Sequence, residues 1–237
     1  MPFLAQLEPG DPFPPTTAAL AEPNGLLAVG GILDADTLLR AYRRGIFPWY
    51  EAPQPVLWWT PDPRSVLFPD ELHVSRSLGR TLRRARFRLS VDRDFSAVME
   101  ACAAPRPGQS GTWIGAEMLH AYGELHALGY AHSIEVRGVD DALLGGLYGV
   151  ALGGAFFGES MFSRETDASK VALVALVHCL RRGGGQIVDC QVQNPHLDSL
   201  GARDIPRLDF EERLAQTVGR PMGADTWALP EECGALL

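Results

Sequence analysis

Residues 186–194, with the sequence QIVDCQVQN, constrain the fold more than any other stretch of the chain. They predict a short apolar strand, which follows a helix ended by the three glycines at 183–185. Because side chains alternate faces along a strand, Asp189 and Gln191 share one face. A carboxylate and an amide on an apolar strand cost free energy unless both are hydrogen-bonded, and that cost is typical of a functional site. An edge strand with a solvated polar face explains the pattern equally well.

A second strand carries an acid in the same kind of surroundings. In residues 154–164, with the sequence GAFFGESMFSR, alternation places Glu159 on one face with Phe157 and Met161. Two strands that each place one acid among apolar neighbours predict a single site shared by Glu159 and Asp189. Two unrelated structural acids, each paired with a nearby cation, are the alternative.

The composition predicts a globular protein with a full hydrophobic core. The chain has 237 residues, of which 46% are hydrophobic and 21% are charged. It has no apolar run near the roughly 20 residues that a membrane span needs, and its N-terminus has no signal-peptide pattern. Its four cysteines are scattered without metal-ligand spacing, which favours reduced thiols in the cytoplasm rather than a disulfide or zinc framework.

Six arginines lie between residues 76 and 88 without an acidic residue among them, although the chain has a net charge of −8. On a helix, four of them share one face, while Leu78 and Leu82 lie opposite. These four, here called the cationic ridge, are Arg76, Arg80, Arg83 and Arg84. Arginine binds phosphate through its planar five-donor group, so the ridge indicates a local anionic ligand such as an RNA backbone. An ordinary solvated helix face is the alternative.

Aromatic residues cluster beside prolines in the first part of the chain. Four of them fall within eleven positions: Trp49, Tyr50, Trp58 and Trp59. Tryptophans in loops line ligand pockets or stack on bases, and they also fill the seam between two domains. The sequence alone leaves both interpretations open.

Proline and glycine punctuate residues 1–62, which we interpret as a small N-terminal domain, and we interpret residues 63–237 as a larger domain. Hydrophobic periodicity predicts a mixed sheet with helices on its faces in the larger domain. Besides the ridge helix, helices are predicted at about 35–44, 95–103, 116–128, 167–182 and 209–218. Strands are predicted at about 87–91, 131–136, 143–152 and 155–161, the last two forming a hairpin.

Eleven segments occur in a fixed order between residues 22 and 207. They include EPNGLLAVGG (22–31), AYRRGIFPWY (41–50), LWWTPDPR (57–64), FFGESMFSR (156–164) and DCQ (189–191). Taken together, the ordered set resembles the leucyl/phenylalanyl-tRNA–protein transferases, a family of bacterial aminoacyltransferases.

The resemblance implies an α+β fold, in which a small N-terminal α/β domain precedes a larger N-acetyltransferase-like (acyl-CoA N-acyltransferase) mixed-sheet domain. It implies transfer of Leu, Phe or, less readily, Met from aminoacyl-tRNA to the N-terminal α-amine of proteins that begin with Arg or Lys. The product then enters N-degron (N-end rule) proteolysis. Aminoacyl-tRNA is already an activated ester, so we expect no cofactor and no metal. We also expect a cytoplasmic monomer without a membrane partner.

The same resemblance implies roles for residues of both strands. Asp189 is expected to hydrogen-bond Gln191, and the pair to draw the proton from the attacking amine, with Gln191 as relay and Asp189 as the charge. Glu159 is expected to hold the cationic acceptor, and the cationic ridge to contact the tRNA backbone. The positions that match the aminoacyl-adenosine and acceptor pocket of the family are Trp49, Trp113, Leu147, Phe156 and Asn194.

Two residues depart from the pattern of the family: Gly79 stands where a basic residue is usual, and Gly115 where threonine is common. A coenzyme-A-dependent N-acetyltransferase is the enzymatic alternative. Its phosphate loop opens a helix, whereas the best candidate here, residues 181–186, ends one. A non-catalytic tRNA-binding protein is the second alternative, and it leaves the two strand acids unexplained.

Overall fold

The computed structural model describes residues 4–105 and 112–236, which form two β-sheets. The strands of the small sheet are β1 (Ala5–Leu7), β2 (Leu26–Gly30), β3 (Phe47–Pro48) and β4 (Leu57–Trp59). Their spatial order is β1-β2-β4-β3, with β1 and β2 parallel and the other neighbours antiparallel.

The large sheet is built from later parts of the chain. Its strands are β5 (Arg64–Leu67), β6 (Arg88–Val91), β7 (Ala131–Arg137), β8 (Leu143–Leu152), β9 (Ala155–Ser163), β10 (Ile187–Gln191) and β11 (Arg203–Ile205). Their order is β11-β5-β10-β9-β8-β7-β6. The strands β9 and β10 run parallel, and the other neighbours are antiparallel.

Helices cover both faces of the large sheet. They are α1 (Ala35–Tyr42), α2 (Arg76–Arg83), α3 (Phe95–Ala103), α4 (Ala116–Ala127), α5 (Ala168–Gly183), α6 (Pro195–Asp198) and α7 (Arg207–Thr217). The mixed α/β architecture and the β8–β9 hairpin are therefore confirmed. The sequence also predicts a turn rich in proline and glycine just before Thr112, and this turn lies outside the described residues. The domain boundary between residues 62 and 63 stays a prediction.

The sequence predicts caps at the start of two helices, by Asp34 for α1 and by an aspartate or threonine for α5. Asp34 accepts a hydrogen bond from the backbone of Thr37 at the start of α1, as the sequence predicts. The cap predicted for α5 is wrong, because Asp167 makes no side-chain cap and instead accepts from Thr81 of α2 at 2.8 Å. The helix ends at Gly183, one residue later than predicted, and its C-cap is Gly184, whose φ of +80° suits glycine.

Two hydrophobic layers sandwich the large sheet. On one face, α1, α3 and α4 pack with the small sheet, and buried side chains such as Tyr42, Tyr122 and Phe157 belong to this layer. On the other face, α2 and α5 pack with buried side chains such as Leu82 and Phe156. Among the described residues, no helix combines the length and the apolar character needed to span a membrane.

A β-bulge in each of the two acid-bearing strands interrupts the alternation of side chains. In β9, the register against β8 shifts between Ser160 and Gly158, so Glu159 is the extra residue. In β10, the register against β5 shifts between Asp189 and Gln191. The prediction that Met161 shares a face with Phe157 is therefore wrong: Met161 packs in the layer of α5, opposite Phe157.

Gly149 provides a test of the packing at the β9 bulge. A Cβ atom there would lie 2.1 Å from the carbonyl oxygen of Phe157 and 2.6 Å from the ring of Phe156. We expect Gly149→Ala to lower the free energy of unfolding, measured in urea, by about 1–3 kcal/mol because the core is overpacked. Gly123→Ala is the matched control, since α4 leaves open space there. That control is expected to stabilise by about 0.5–1 kcal/mol, and an equal effect of both variants would contradict the packing argument.

Candidate active site

A cavity of about 280 Å³ opens where β9 and β10 separate. The two strands pair over only three residues, and the last pair is Phe157 with Asp189. Directly beyond this pair each strand bulges, and the residues that follow line the cavity. The cavity walls include every residue that the sequence analysis assigned to catalysis or substrate binding: Trp49, Trp113, Leu147, Phe156, Glu159, Asp189, Gln191 and Asn194.

Asp189 is held by an arginine that the sequence analysis did not single out. Arg64 donates from Nε to Oδ1 at 2.7 Å and from Nη2 to Oδ2 at 2.6 Å. The side chains of the pair are 0% and 1% exposed. The guanidinium lies between the rings of Phe47 and Phe210, at 4.8 and 4.7 Å from their centroids. Such a bidentate, charge-assisted pair compensates the buried charge of Asp189.

The hydrogen bond expected between Asp189 and Gln191 involves the main chain. The backbone amide of Gln191 donates to Oδ1 of Asp189 at 2.9 Å, and Gln191 has a φ of +66°. A non-glycine residue in this region costs roughly 1–3 kcal/mol, which the carboxylate helps to offset. The side chain of Gln191 turns instead to Glu159 and donates to its Oε1 at 3.0 Å. Asp189 thereby sets the backbone that directs the Gln191 amide into the site.

Glu159 is buried within a network of tyrosines. The hydroxyl of Tyr42 of α1 donates to its Oε1 at 2.7 Å, and the hydroxyl of Tyr122 of α4 lies 2.8 Å from its Oε2, within hydrogen-bond distance. The two hydroxyls also hydrogen-bond each other. Burial is the main cause that raises the pKa of Glu159 to about 7. Hydrogen bonds from the tyrosines partly offset this rise in the pKa, and the charge of Asp189 adds to it.

The opposite side of the cavity is apolar. Its wall combines strand residues with two leucines of α5, namely Leu147, Phe156, Met161, Leu173, Leu176 and Val188. Trp113 and Asn194 lie at the cavity as well, and the side-chain oxygen of Asn194 accepts from the backbone of His196 to cap α6. An apolar group therefore finds apolar contacts on this side and polar partners on the other.

The aromatic cluster divides between the core and the mouth of the cavity. Trp58 is fully buried and donates to the carbonyl of Gly30 at 2.9 Å, so it serves the core of the small sheet. Trp49 is 45% exposed, lines the cavity and contacts the ring of Trp59. Trp49 therefore lies where the pocket interpretation expects it, whereas Trp58 is a core residue.

The cationic ridge lies outside the cavity. Three of its arginines are exposed on α2 and the fourth, Arg84, is exposed at the C-cap of this helix; Leu78 and Leu82 are buried beneath them as predicted. None of the four forms an ion pair with another of the residues that the structure describes. The helix α2 is joined to α5 by the hydrogen bond between Thr81 and Asp167. Since α5 also contributes to the cavity wall, this helix contacts both the cavity and the helix that carries the cationic ridge.

Three residues of the site escaped the sequence analysis: Arg64, Tyr42 and Tyr122. A buried carboxylate requires a cation nearby, so the burial expected for Asp189 already called for an arginine or lysine. The tyrosines occupy apolar helix faces, where a tyrosine usually belongs to the core. Within residues 4–105 and 112–236, no group of three or more histidine, cysteine or acidic side chains is placed to hold a metal ion.

The buried ion pair gives a stability prediction. Arg64→Leu leaves Asp189 as an uncompensated buried carboxylate, so we expect urea unfolding to show a loss of about 3–5 kcal/mol. The double variant Arg64→Leu/Asp189→Leu is expected to lose less than Arg64→Leu alone, because neither charge then remains unpaired. Arg203→Leu, which breaks an exposed pair with Glu71, is the control and should lose less than about 1 kcal/mol. Equal losses at Arg64 and Arg203 would contradict the prediction.

The chain is similar to one family of known proteins over almost all of its length. The family described as "Leucyl/phenylalanyl-tRNA protein transferase" matches residues 66–215, and its "N-terminal domain" matches residues 31–62. A protein named leucyl/phenylalanyl-tRNA–protein transferase from Azotobacter vinelandii is 58% identical over 90% of this chain and 94% of its own. One of the same name from Thiobacillus denitrificans is 58% identical over 91% of this chain and 94% of its own.

A solved structure is also similar, at a much lower level. It is titled "The structure of L-PGS from Bacillus licheniformis", and it is 10% identical with a TM-score of 0.40. The match covers 71% of this chain and 53% of the other. A likeness of this size does not assign the fold.

Proposed function

This chain belongs to the leucyl/phenylalanyl-tRNA–protein transferase family, and we propose that it transfers Leu, Phe and, less readily, Met from aminoacyl-tRNA to proteins that begin with Arg or Lys. The observation that carries the proposal is the shape of the cavity: an apolar wall faces a cluster made by Glu159, Asp189 and Gln191. The wall suits the side chain of the donor, and the cluster suits the amine of the acceptor. The modified protein then enters N-degron proteolysis.

The donor end of the reaction needs little from the protein beyond binding. The aminoacyl ester is already activated, so no cofactor or metal takes part in the proposed reaction. The wall that includes Leu147 and Phe156 contacts the amino-acid side chain, and Trp49 and Trp113 flank the adenosine. Apolar shape yields only about 1–3 kcal/mol of discrimination per methylene, so graded rather than absolute selection among Leu, Phe and Met follows.

The acceptor end requires a free amine. Its nitrogen attacks the ester carbonyl, the bond between carbonyl carbon and ribose oxygen breaks, the amine loses a proton and the ribose oxygen gains one. An α-amine has a pKa of about 7.7–8.0, so a mild proton acceptor is sufficient. In our proposal Gln191 orients the amine and relays its proton, Asp189 supplies negative charge, and Glu159 holds the cationic terminus, with Asn194 beside them. The carboxylate oxygens of Asp189 already accept from Arg64 and Gln191, which supports a role by charge and positioning.

The body of the tRNA is assigned to the cationic ridge. The exposed arginines have no acidic partners among the described residues, so they are available to phosphates. The seven-stranded mixed sheet with helices on both faces supports the acyl-CoA N-acyltransferase class of fold for residues 63–237. We further propose a monomer that works in the cytoplasm, where aminoacyl-tRNA is made.

A transfer assay tests the proposal. Purified protein, radiolabelled Leu-tRNA and a peptide that begins with Arg are expected to give a labelled peptide, and a peptide that begins with Ala is expected to stay unlabelled. Acetyl-CoA replaces Leu-tRNA in a parallel reaction. Acetylation of the peptide, with no transfer from tRNA, would contradict the proposal in favour of a coenzyme-A-dependent enzyme.

The same assay tests the proposed role of Asp189. We expect Asp189→Asn to reduce transfer by at least about 100-fold, because the negative charge beside the amine is lost while the shape is kept. Binding of Leu-tRNA by gel shift should stay within about twofold. Asp204→Asn, which neutralises an exposed acid in the same sheet, is the control and should leave transfer unchanged. Transfer at the wild-type rate by Asp189→Asn would remove Asp189 from the mechanism.

Salt dependence tests the cationic ridge. Arg80→Ala/Arg83→Ala is expected to weaken tRNA binding and to reduce the slope of log affinity against log salt by about 1.5–2, since two phosphate contacts are lost. Arg43→Ala/Arg220→Ala removes the same charge from exposed positions elsewhere and should leave the slope unchanged. If both double variants behave alike, the ridge is not the binding surface.

A further inference from the structure

Tyr42, Tyr122 and Glu159 form a closed set of three hydrogen bonds beside the cavity. The hydroxyl of Tyr42 lies 2.7 Å from Oε1 of Glu159, and the hydroxyl of Tyr122 lies 2.8 Å from Oε2. The third hydrogen bond joins the two hydroxyls to each other. All three side chains are buried, and they come from α1, α4 and β9. This set is called the proton ring below.

The proton ring needs one hydrogen more than the tyrosines provide. Each hydrogen bond contains one hydrogen, and each phenol carries one. If Glu159 is ionised, both hydroxyls donate to it and the contact between Tyr42 and Tyr122 joins two lone pairs. A protonated carboxyl removes this conflict: it donates to Tyr122, Tyr122 donates to Tyr42, and Tyr42 donates to the other carboxyl oxygen. All three contacts are therefore hydrogen bonds only when Glu159 is neutral.

We propose that the proton ring stores one proton in the free enzyme, and that a cationic acceptor displaces this proton when it binds. The identity of the ligand rests on the proposed function, whereas the proton count rests on the geometry alone. A neutral Glu159 spares the empty cavity the cost of an uncompensated buried carboxylate. When the ammonium group of the acceptor arrives, it stabilises the carboxylate and the proton leaves to solvent.

The groups that face Glu159 are consistent with a neutral acid. Burial raises the pKa of Glu159 to about 7, and the charge of Asp189 on β10 raises the same pKa. Arg64 on β5 is paired with Asp189 and is not free to compensate a second carboxylate. Burial raises the pKa of Tyr148 on β8, and of both ring tyrosines, well above the usual range, so these groups stay protonated. Gln191, which is uncharged, donates to Oε1.

Replacing Glu159 by glutamine tests the ring without any substrate. The glutamine amide always carries a donor hydrogen, so Glu159→Gln closes the ring at every pH. In the wild type the pKa rises from 4.5 to about 7 on folding, so the folded state binds the extra proton between these values. Its free energy of unfolding therefore falls as the pH rises through this window and then levels off. In urea unfolding, the free energy of unfolding of Glu159→Gln relative to that of wild type is therefore expected to increase as the pH rises from 4.5 to about 7.

Glu135 provides the matched control. It is a buried glutamate on strand β7 of the same sheet, and its oxygens accept from Ser90, Ser133 and two backbone amides, each with a hydrogen of its own. Because no hydrogen is missing there, Glu135→Gln is expected to destabilise the protein at every pH tested. If the difference in free energy of unfolding between Glu159→Gln and wild type does not change with pH, the proton ring does not hold the extra proton.

Displacement of the proton is tested by calorimetry on the full-length enzyme. A peptide that begins with Arg is titrated at pH 6 in two buffers that differ in ionisation enthalpy, and the difference gives the number of protons released. Close to one proton per peptide is expected for wild type, with none for Glu159→Gln. Peptide affinity of the wild type is expected to rise about tenfold per pH unit below about 7 and to level off above it.

The outcomes separate the ring from the proposed function. If the peptide binds wild type without releasing a proton, the proposed displacement is wrong. If Glu159→Gln still releases a proton, that proton comes from the peptide amine and the proposed displacement is again wrong. If the peptide does not bind wild type, displacement and the acceptor assignment are both wrong, while the unfolding data still decide the ring.

Discussion

The ion pair between Arg64 and Asp189 is the constraint on which the rest of the site depends. It joins β5 to β10 inside the large sheet, with both side chains removed from water. The rings that enclose its cation come from the small sheet and from α7, through Phe47 and Phe210. One interaction therefore links the small sheet, the large sheet and the last helix. Because Asp189 also holds the backbone of Gln191, the same pair sets the geometry of the cavity.

Two irregularities turn this rigid sheet into a site. The bulge at Glu159 directs a carboxylate toward the tyrosines of α1 and α4, and the positive φ of Gln191 directs an amide toward that carboxylate. Each feature is unfavourable alone, since one buries an acid and the other strains the backbone. The Gln191 amide and the Glu159 carboxyl group satisfy each other through one hydrogen bond at the point where β9 and β10 separate. A buried acid and a strained backbone of this kind are typical of functional sites.

Much of this arrangement could be predicted from local pattern, and the exceptions have physical causes. Glu159 and Asp189 were identifiable because each is an acid within an apolar strand, and the helices followed from their periodicity. Arg64 was not, because it lies 125 positions from Asp189 and only the antiparallel pairing of β5 brings them together. Met161 was assigned to the wrong face, because alternation does not reveal the extra residue that pairing with β8 creates. Local pattern therefore identifies chemical groups well and their partners poorly.

The brief pairing of β9 and β10 has a consequence for how such a protein diversifies. The cavity arises where the backbones of the two strands part. Leu173 and Leu176 close it from α5, a helix that packs on one face of the sheet. Substitutions on this one helix can thus change the shape of the cavity while the strand pairing of the sheet stays intact. The shape of the cavity can therefore evolve independently of the architecture.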